Sequence, residues 1–162
     1  MTTLRPMTEA DLGAVNAIYN HYVLHSTCTY QLEPETDAAR AAWFHDHGRA
    51  HPLLVAEEDG RVVGWASLSR YHPRGGYAST VEDSIYVDRA FHRRGIGAAL
   101  LGALVTRAET LAHHVIVAGI DSGQPGSVAL HARFGFVEAG RLREVGRKFG
   151  HSLDVIYMQR LL

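Results

Sequence analysis

Residues 81–111 read VEDSIYVDRAFHRRGIGAALLGALVTRAETL, and their reading decides the fold. Ile85, Tyr86 and Val87 are β-formers in a strand-like alternation. After Arg93-Arg94-Gly95-Ile96-Gly97, apolar side chains recur at Ile96, Leu100, Leu101, Leu104, Val105, Ala108 and Leu111. That three/four spacing predicts a helix with one buried face. A strand, a glycine turn and a helix start together make an anion site, because the free N–H groups of a first helical turn and the helix macrodipole both favour negative charge. Gly95 and Gly97 let backbone approach an anion closely. The pattern is neither a dinucleotide fingerprint, whose third glycine is replaced by Leu100, nor a phosphate loop ending in Gly-Lys-Ser/Thr. A lone Gly-x-Gly is ordinarily only a tight turn. Arg93, Arg94 and the upstream Glu82 favour a binding site here.

Working outward, 162 residues with 46% apolar content predict one domain, 1–162, with a substantial core. A formal net charge of −1 gives no global attraction to nucleic acid or to an anionic membrane, so the basic turn is a local site. No apolar run approaches a membrane span, and the N-terminus lacks a signal-peptide pattern. Cys28 is the only cysteine, so no intrachain disulfide can form, and a reducing cytoplasm is expected.

Along the chain, 4–7 reads as a strand. Thr8 to Asp11 has capping-box spacing ahead of a helix through Tyr22, and Thr36 or Asp37 caps a second helix through Phe44. Strands follow at 53–57 and 61–70, joined at Asp59-Gly60 by a type I′ hairpin turn. Beyond the long helix come a strand at 115–120, a short helix at 127–134, and three strands at 136–139, 141–149 and 153–161. The fold class expected is α+β: a mixed, mostly antiparallel central sheet with helices on both faces.

With these residues in place, the chain resembles the GNAT superfamily of acetyl-CoA-dependent N-acetyltransferases along nearly its whole length. The superfamily's Gln/Arg-x-x-Gly-x-Gly/Ala signature reads His92-Arg93-Arg94-Gly95-Ile96-Gly97, with histidine at the first position. A second signature, Asn-x-x-Ala-x-x-Leu-Tyr-x-x-x-Gly-Phe, reads from Gln124 through Ser127, Leu130 and His131 to Gly135-Phe136. Asn20-His21-Tyr22, residues 80–87 and Phe149-Gly150-His151 are similar to the branch containing phosphinothricin, methionine sulfoximine and methionine sulfone acetyltransferases. The resemblance implies acetyl-CoA as co-substrate, a small amino-acid-like acceptor amine, a role in antibiotic or herbicide resistance, and a homodimer.

Acetyl transfer needs a neutral amine, a polarised carbonyl and a stabilised thiolate. Glu82 is the candidate general base, acting directly or through water, and alternation places it with Ser84, opposite Asp83. The resemblance assigns Ile85, Tyr86 and Val87 to backbone pairing with pantetheine, and Arg93, Arg94, Gly95, Ile96, Gly97 and Ala98 to the pyrophosphate. Gln124 is a candidate donor to the cofactor's arm. His131 occupies the superfamily's tyrosine position, either as general acid for the thiolate or as a histidine satisfied by a backbone carbonyl. A reference pKa near 7.7–8.0 for an α-amine, against about 10.4 for lysine, favours an amino-acid-like acceptor. Arg74, beside Gly75 and Gly76, is the candidate partner for its carboxylate, with a solvated loop arginine as the other reading. Tyr30, Tyr71 and Tyr77 either line the pocket or pack.

No metal is expected, since the pairs His21/His25 and His47/His51 have no third ligand. Cys28 reads as a small hydrophobe rather than a nucleophile. Two rival functions remain: a peptide or protein α-amine acetyltransferase of the same fold, and a non-catalytic acyl-CoA sensor.

Overall fold

The computed structural model describes residues 1–162. Strands Thr3–Pro6 (β1), Leu53–Glu58 (β2), Arg61–Arg70 (β3), Thr80–Val87 (β4), Val115–Asp121 (β5), Val137–Lys148 (β6) and His151–Leu161 (β7) form one sheet in the order β1-β2-β3-β4-β5-β7-β6. Helices Leu12–His25 (α1), Asp37–Asp46 (α2), Ile96–Thr110 (α3) and Pro125–Arg133 (α4) complete the fold. Every strand pair is antiparallel except β4 with β5.

The alternation of β2 and β3, interrupted by a register shift between Ala56 and Glu57 that leaves Val63 unmatched, divides the core between the two faces. Leu54, Val63, Ala66 and Leu68 belong with the α3 stripe of Ile96, Leu100, Leu101, Leu104, Val105 and Ala108. Val55 and Trp65 point the other way, onto Val15 and Ile18 of α1. Each fully buried Leu on the α3 face contributes about 1.5–3 kcal/mol, which fixes that helix, and hence its first turn, against the sheet. The β2–β3 turn has φ 49° at Asp59 and 77° at Gly60, both positive as a type I′ turn requires. Pro125 occupies the first turn of α4, where its missing N–H costs nothing.

One expected boundary is wrong. Residues 136–139 and 141–149 are not two strands: β6 runs unbroken from Val137 to Lys148. Gly140 does not end it, because the register against β7 shifts between Glu138 and Gly140 and again between Leu142 and Gly146 while pairing continues. Bulges absorb the irregularity that the sequence presents as a break.

The pairing that matters most for the site is the shortest. β4 and β5 are matched only at Thr80–Val115, Val81–Ile116 and Glu82–Val117. Beyond Glu82, β4 continues with β3 as far as Val87, and β5 continues with β7 as far as Asp121. The two strands part, and a wedge opens in the middle of the sheet.

Candidate active site

The wedge is a cleft of about 540 Å³. Its walls are residues 82–87 of β4 and 118–121 of β5. Arg93, Gly95, Ile96 and Gly97 stand at the start of α3, and Gln124, Gly126, Ser127, Leu130 and His131 lie on or just before α4. Tyr22 and Cys28 reach in from α1 and the loop after it.

β4 supplies a free backbone edge to this cleft. Asp88 N donates to Val63 O at 2.8 Å. Antiparallel alternation then commits the amides of Ser84 and Tyr86 to β3, leaving Ile85 and Val87 to face the opening. Within the expected trio, therefore, Ile85 and Val87 have N–H groups for a ligand and Tyr86 does not. The Val87 carbonyl is already taken, accepting from the Tyr22 hydroxyl and lying 3.0 Å from His92 Nε2. His92 Nε2 is also 2.6 Å from Tyr22 Oη, so this ring braces the strand end.

At the α3 start, Gly95 has φ 82° and Arg93 φ 61°, a curl in which successive amides turn to one side. Ala99 N makes the first helical bond, to Gly95 O at 3.0 Å, so the amides of 96–98 have no helical acceptor. This is a site for an anion. The side chains divide. Arg93 lines the cleft, whereas Arg94 turns away to Glu58 at 3.3 Å and over the Phe91 ring at 5.0 Å. Ala98 does not line the cleft.

Glu82 sits where the strands part. Burial pushes its carboxyl above the usual range, and the neighbouring Asp83 charge adds to the shift. Its Oε1 lies 3.8 Å from where a Cβ on Gly119 of β5 would stand, so the carboxylate leans across the opening rather than back to β3. Asp83, one residue on, is on the other face and buried. Its Oδ2 is 2.8 Å from Nε2 of His131, whose Nδ1 is 2.7 Å from Ser127 O. Burial alone would lower the histidine's pKa, but the Asp83 bond and charge, with the Ser127 carbonyl, carry the net shift upward.

Arg74, Gly75 and Gly76 do not line the cleft; all three are exposed in the loop that leads into β4. Tyr71 and Tyr77 pack on each other at 5.8 Å, and Tyr30 donates to Asp121 Oδ1 at 2.7 Å. With Thr27 Oγ1 on Asp121 Oδ2 at 2.7 Å, and Lys148 Nζ on Thr29 O at 2.8 Å, these bonds strap the loop after α1 across the end of β5. Cys28 lies on that strap, its thiol pKa raised by burial. No group of three metal-ligating side chains is present. The sequence reading missed Asp83, Asp121 and the β5 wall. A carboxylate on the buried side of a strand alternation was the available signal for Asp83. The β5 wall had none, because it exists only through the parting of β4 and β5.

An anion-holding helix start, a free strand edge and a carboxylate of raised pKa in one cleft define a site for an elongated phosphate-bearing cofactor and an acid–base reaction at its tip. The profile of the Acetyltransferase (GNAT) family matches residues 15–136, and the chain belongs to that family. It is 41% identical over 159 residues to the L-methionine sulfoximine/L-methionine sulfone acetyltransferase of Pseudomonas aeruginosa, covering 97% of this chain and 92% of that one. The phosphinothricin acetyltransferase of Sinorhizobium meliloti, solved with acetyl-CoA, superposes with a TM-score of 0.97 at 38% identity, over 99% of this chain and 88% of that one. The ribosomal-protein-alanine N-acetyltransferase of Brucella melitensis does so with 0.96 at 40% identity, over 99% of both chains. The protein is an N-acetyltransferase that uses acetyl-CoA.

Proposed function

We propose that the enzyme transfers acetyl to the amine of a small amino-acid-like acceptor of the phosphinothricin, methionine sulfoximine or methionine sulfone type, by direct attack in a ternary complex. The observation that carries this reading is Glu82, a half-buried carboxylate of raised pKa at the point where β4 and β5 part. Such a group takes a proton from an α-ammonium more readily than an ordinary carboxylate does. The names of the relatives support the acceptor class. The free amides of 96–98 and Arg93 hold the pyrophosphate, and Gln124 donates to the cofactor arm. The N–H groups of Ile85 and Val87 pair with pantetheine, one of them polarising the thioester carbonyl. Glu82 deprotonates the ammonium, directly or through water, and His131 protonates the departing thiolate. Arg74, with Gly75 and Gly76 on the loop entering β4, meets the acceptor's carboxylate. We further propose a homodimer with a resistance role, and the single cysteine is in keeping with a cytoplasmic location.

A peptide α-amine is the second acceptor class, favoured by the likeness to the ribosomal-protein-alanine enzyme. Thiol release from acetyl-CoA across free amino acids, phosphinothricin, methionine sulfoximine and short peptides separates the two. Peptides turning over faster than every free amino acid would reverse the assignment. Glu82→Gln should lower kcat about 10²–10⁴-fold at unchanged acetyl-CoA affinity, and a variant with full turnover would remove the base from Glu82.

A further inference from the structure

His92 stands at the first position of the glycine-turn signature, where the superfamily carries glutamine or arginine, and its bonded nitrogen serves the strand instead. The Tyr22 hydroxyl donates to Val87 O, and His92 Nε2 lies 3.0 Å from Val87 O and 2.6 Å from Tyr22 Oη. Three contacts among three polar atoms require a hydrogen on two of them. A carbonyl oxygen has none to give, so Oη and Nε2 carry them. Burial, which pushes the Tyr22 pKa up to about 12, keeps that hydroxyl intact. The ring therefore holds a hydrogen on Nε2 whether it is neutral or cationic, and a second proton goes to Nδ1, which bonds to no other group of the protein. The titratable and charged groups around the ring are Arg89 and Arg93 on the same turn, His21 and Cys28 from α1 and the strap, and Asp88, which Arg61 and the Ala90 N–H already engage.

Val87 is the last residue of β4. Gly64 and Val87 stand opposite each other without exchanging hydrogen bonds, so both the N–H and the C=O of Val87 face the opening. Beyond Glu82 no strand pairs β4 on that side. We infer that His92 is a positioning residue: with Tyr22 it clamps the Val87 carbonyl, aims the Val87 N–H at the pantetheine arm of acetyl-CoA, and takes no part in holding the pyrophosphate. The clamp also sets a register. Both lone pairs of Val87 O are engaged, so an amide N–H of the arm must donate to Ile85 O, which alternation turns to the same side. Tyr22 gives the clamp a firm base, its ring 5.7 Å from that of Tyr86 and parallel to the His92 ring within 6°. Because Nε2–H persists in both charge states, the clamp holds across the range from about pH 5 to 8 in which histidine changes charge. This rests on the proposed placement of the arm along β4 and of the pyrophosphate at the α3 turn, and not on which amine is acetylated.

The test takes the two halves of the cofactor apart. Pantetheine carries the arm without phosphate, ADP carries the pyrophosphate without the arm, and each is competed against coenzyme A in calorimetric titrations of the whole chain. His92→Phe, which keeps a ring but donates nothing, should weaken pantetheine about fivefold, the share of one hydrogen bond, and leave ADP unchanged. Tyr22→Phe, which removes the other donor and keeps its ring, should act in the same direction. The affinity for ADP should follow the same course between about pH 5 and 8 in the wild type and in His92→Phe. A pantetheine affinity untouched by both variants overturns the inference. So does a loss confined to ADP or equal for both halves, or an ADP affinity that tightens toward acid more steeply in the wild type than in His92→Phe, since each makes His92 a phosphate ligand or a merely structural one. Arg93→Ala is the control for the placement, and should weaken ADP while sparing pantetheine. Were ADP indifferent to Arg93 as well, the cofactor's placement would fail first and the clamp's role with it; an intact control beside a failed His92→Phe defeats the clamp alone.

Discussion

Arg93 and Arg94 stand side by side in the sequence, and the left-handed φ of 61° at Arg93 sends them to different places. Arg93 reaches the cleft, while Arg94 is drawn to Glu58 and the Phe91 ring. Composition says only that two cations precede a glycine turn; which one serves the ligand depends on a single backbone angle that no sequence pattern encodes. Arg93→Ala should therefore raise the KM for acetyl-CoA several-fold and flatten its dependence on ionic strength, because a charge contact to phosphate is lost. Arg94→Ala should leave both nearly unchanged, since an exposed ion pair contributes little. Steady-state kinetics at two salt concentrations decide the matter, and equal losses from both variants would contradict the geometry.

At the scale of elements, the legible parts are those where one local rule acts alone. The α3 stripe was readable because six buried positions repeat at helical spacing. The Asp59-Gly60 turn was readable because a type I′ geometry selects that pair. The continuity of β6 through Gly140 was not, because a bulge is stabilised by the partner strand and not by the bulged residues. Thr8 and Asp11 fall between these cases. The spacing announced a cap, but Asp11 also takes a bidentate contact from Arg5 at 2.7 and 2.8 Å, joining β1 to the turn before α1. The Arg5 guanidinium, helped against burial by the Thr8 N–H and hydroxyl, holds the Asp11 carboxyl at about 2, below its ordinary 3.8. A depressed carboxylate stabilises the fold above its unfolded pKa and loses that contribution as the pH falls. Asp11→Asn should thus cost about 2 kcal/mol at neutral pH. Denaturant titrations of variant and wild type should converge between pH 4 and pH 2, and a gap constant with pH would show that the ion pair is not its source.

For the molecule as a whole, the active cleft is a defect in the sheet kept open by its surroundings. β4 and β5 share three residue pairs and then separate, so the edge at Ile85 and Val87 has unpaired amides in the interior of the domain. The sequence could supply both strands and still not disclose the parting, because it follows from β7 pairing with β5 through Asp121 while β3 holds β4 through Val87. In the proposed reading acetyl-CoA lies along that edge and on the α3 turn at once, which would link ligand binding to fold stability. At a free concentration about one hundred times Kd, the stabilisation is about 2.7 kcal/mol. For a domain of this size that raises Tm by about 5–10 °C. Coenzyme A should produce a comparable rise, since it retains the pyrophosphate and the pantetheine amides, whereas adenosine, which has neither, should produce almost none. Hydrogen exchange should slow at 85–87 and 95–98 together. If coenzyme A raised Tm while exchange at 85–87 stayed at its free rate, the ligand would be gripping the helix start alone, and the strand edge would not be the pantetheine's partner.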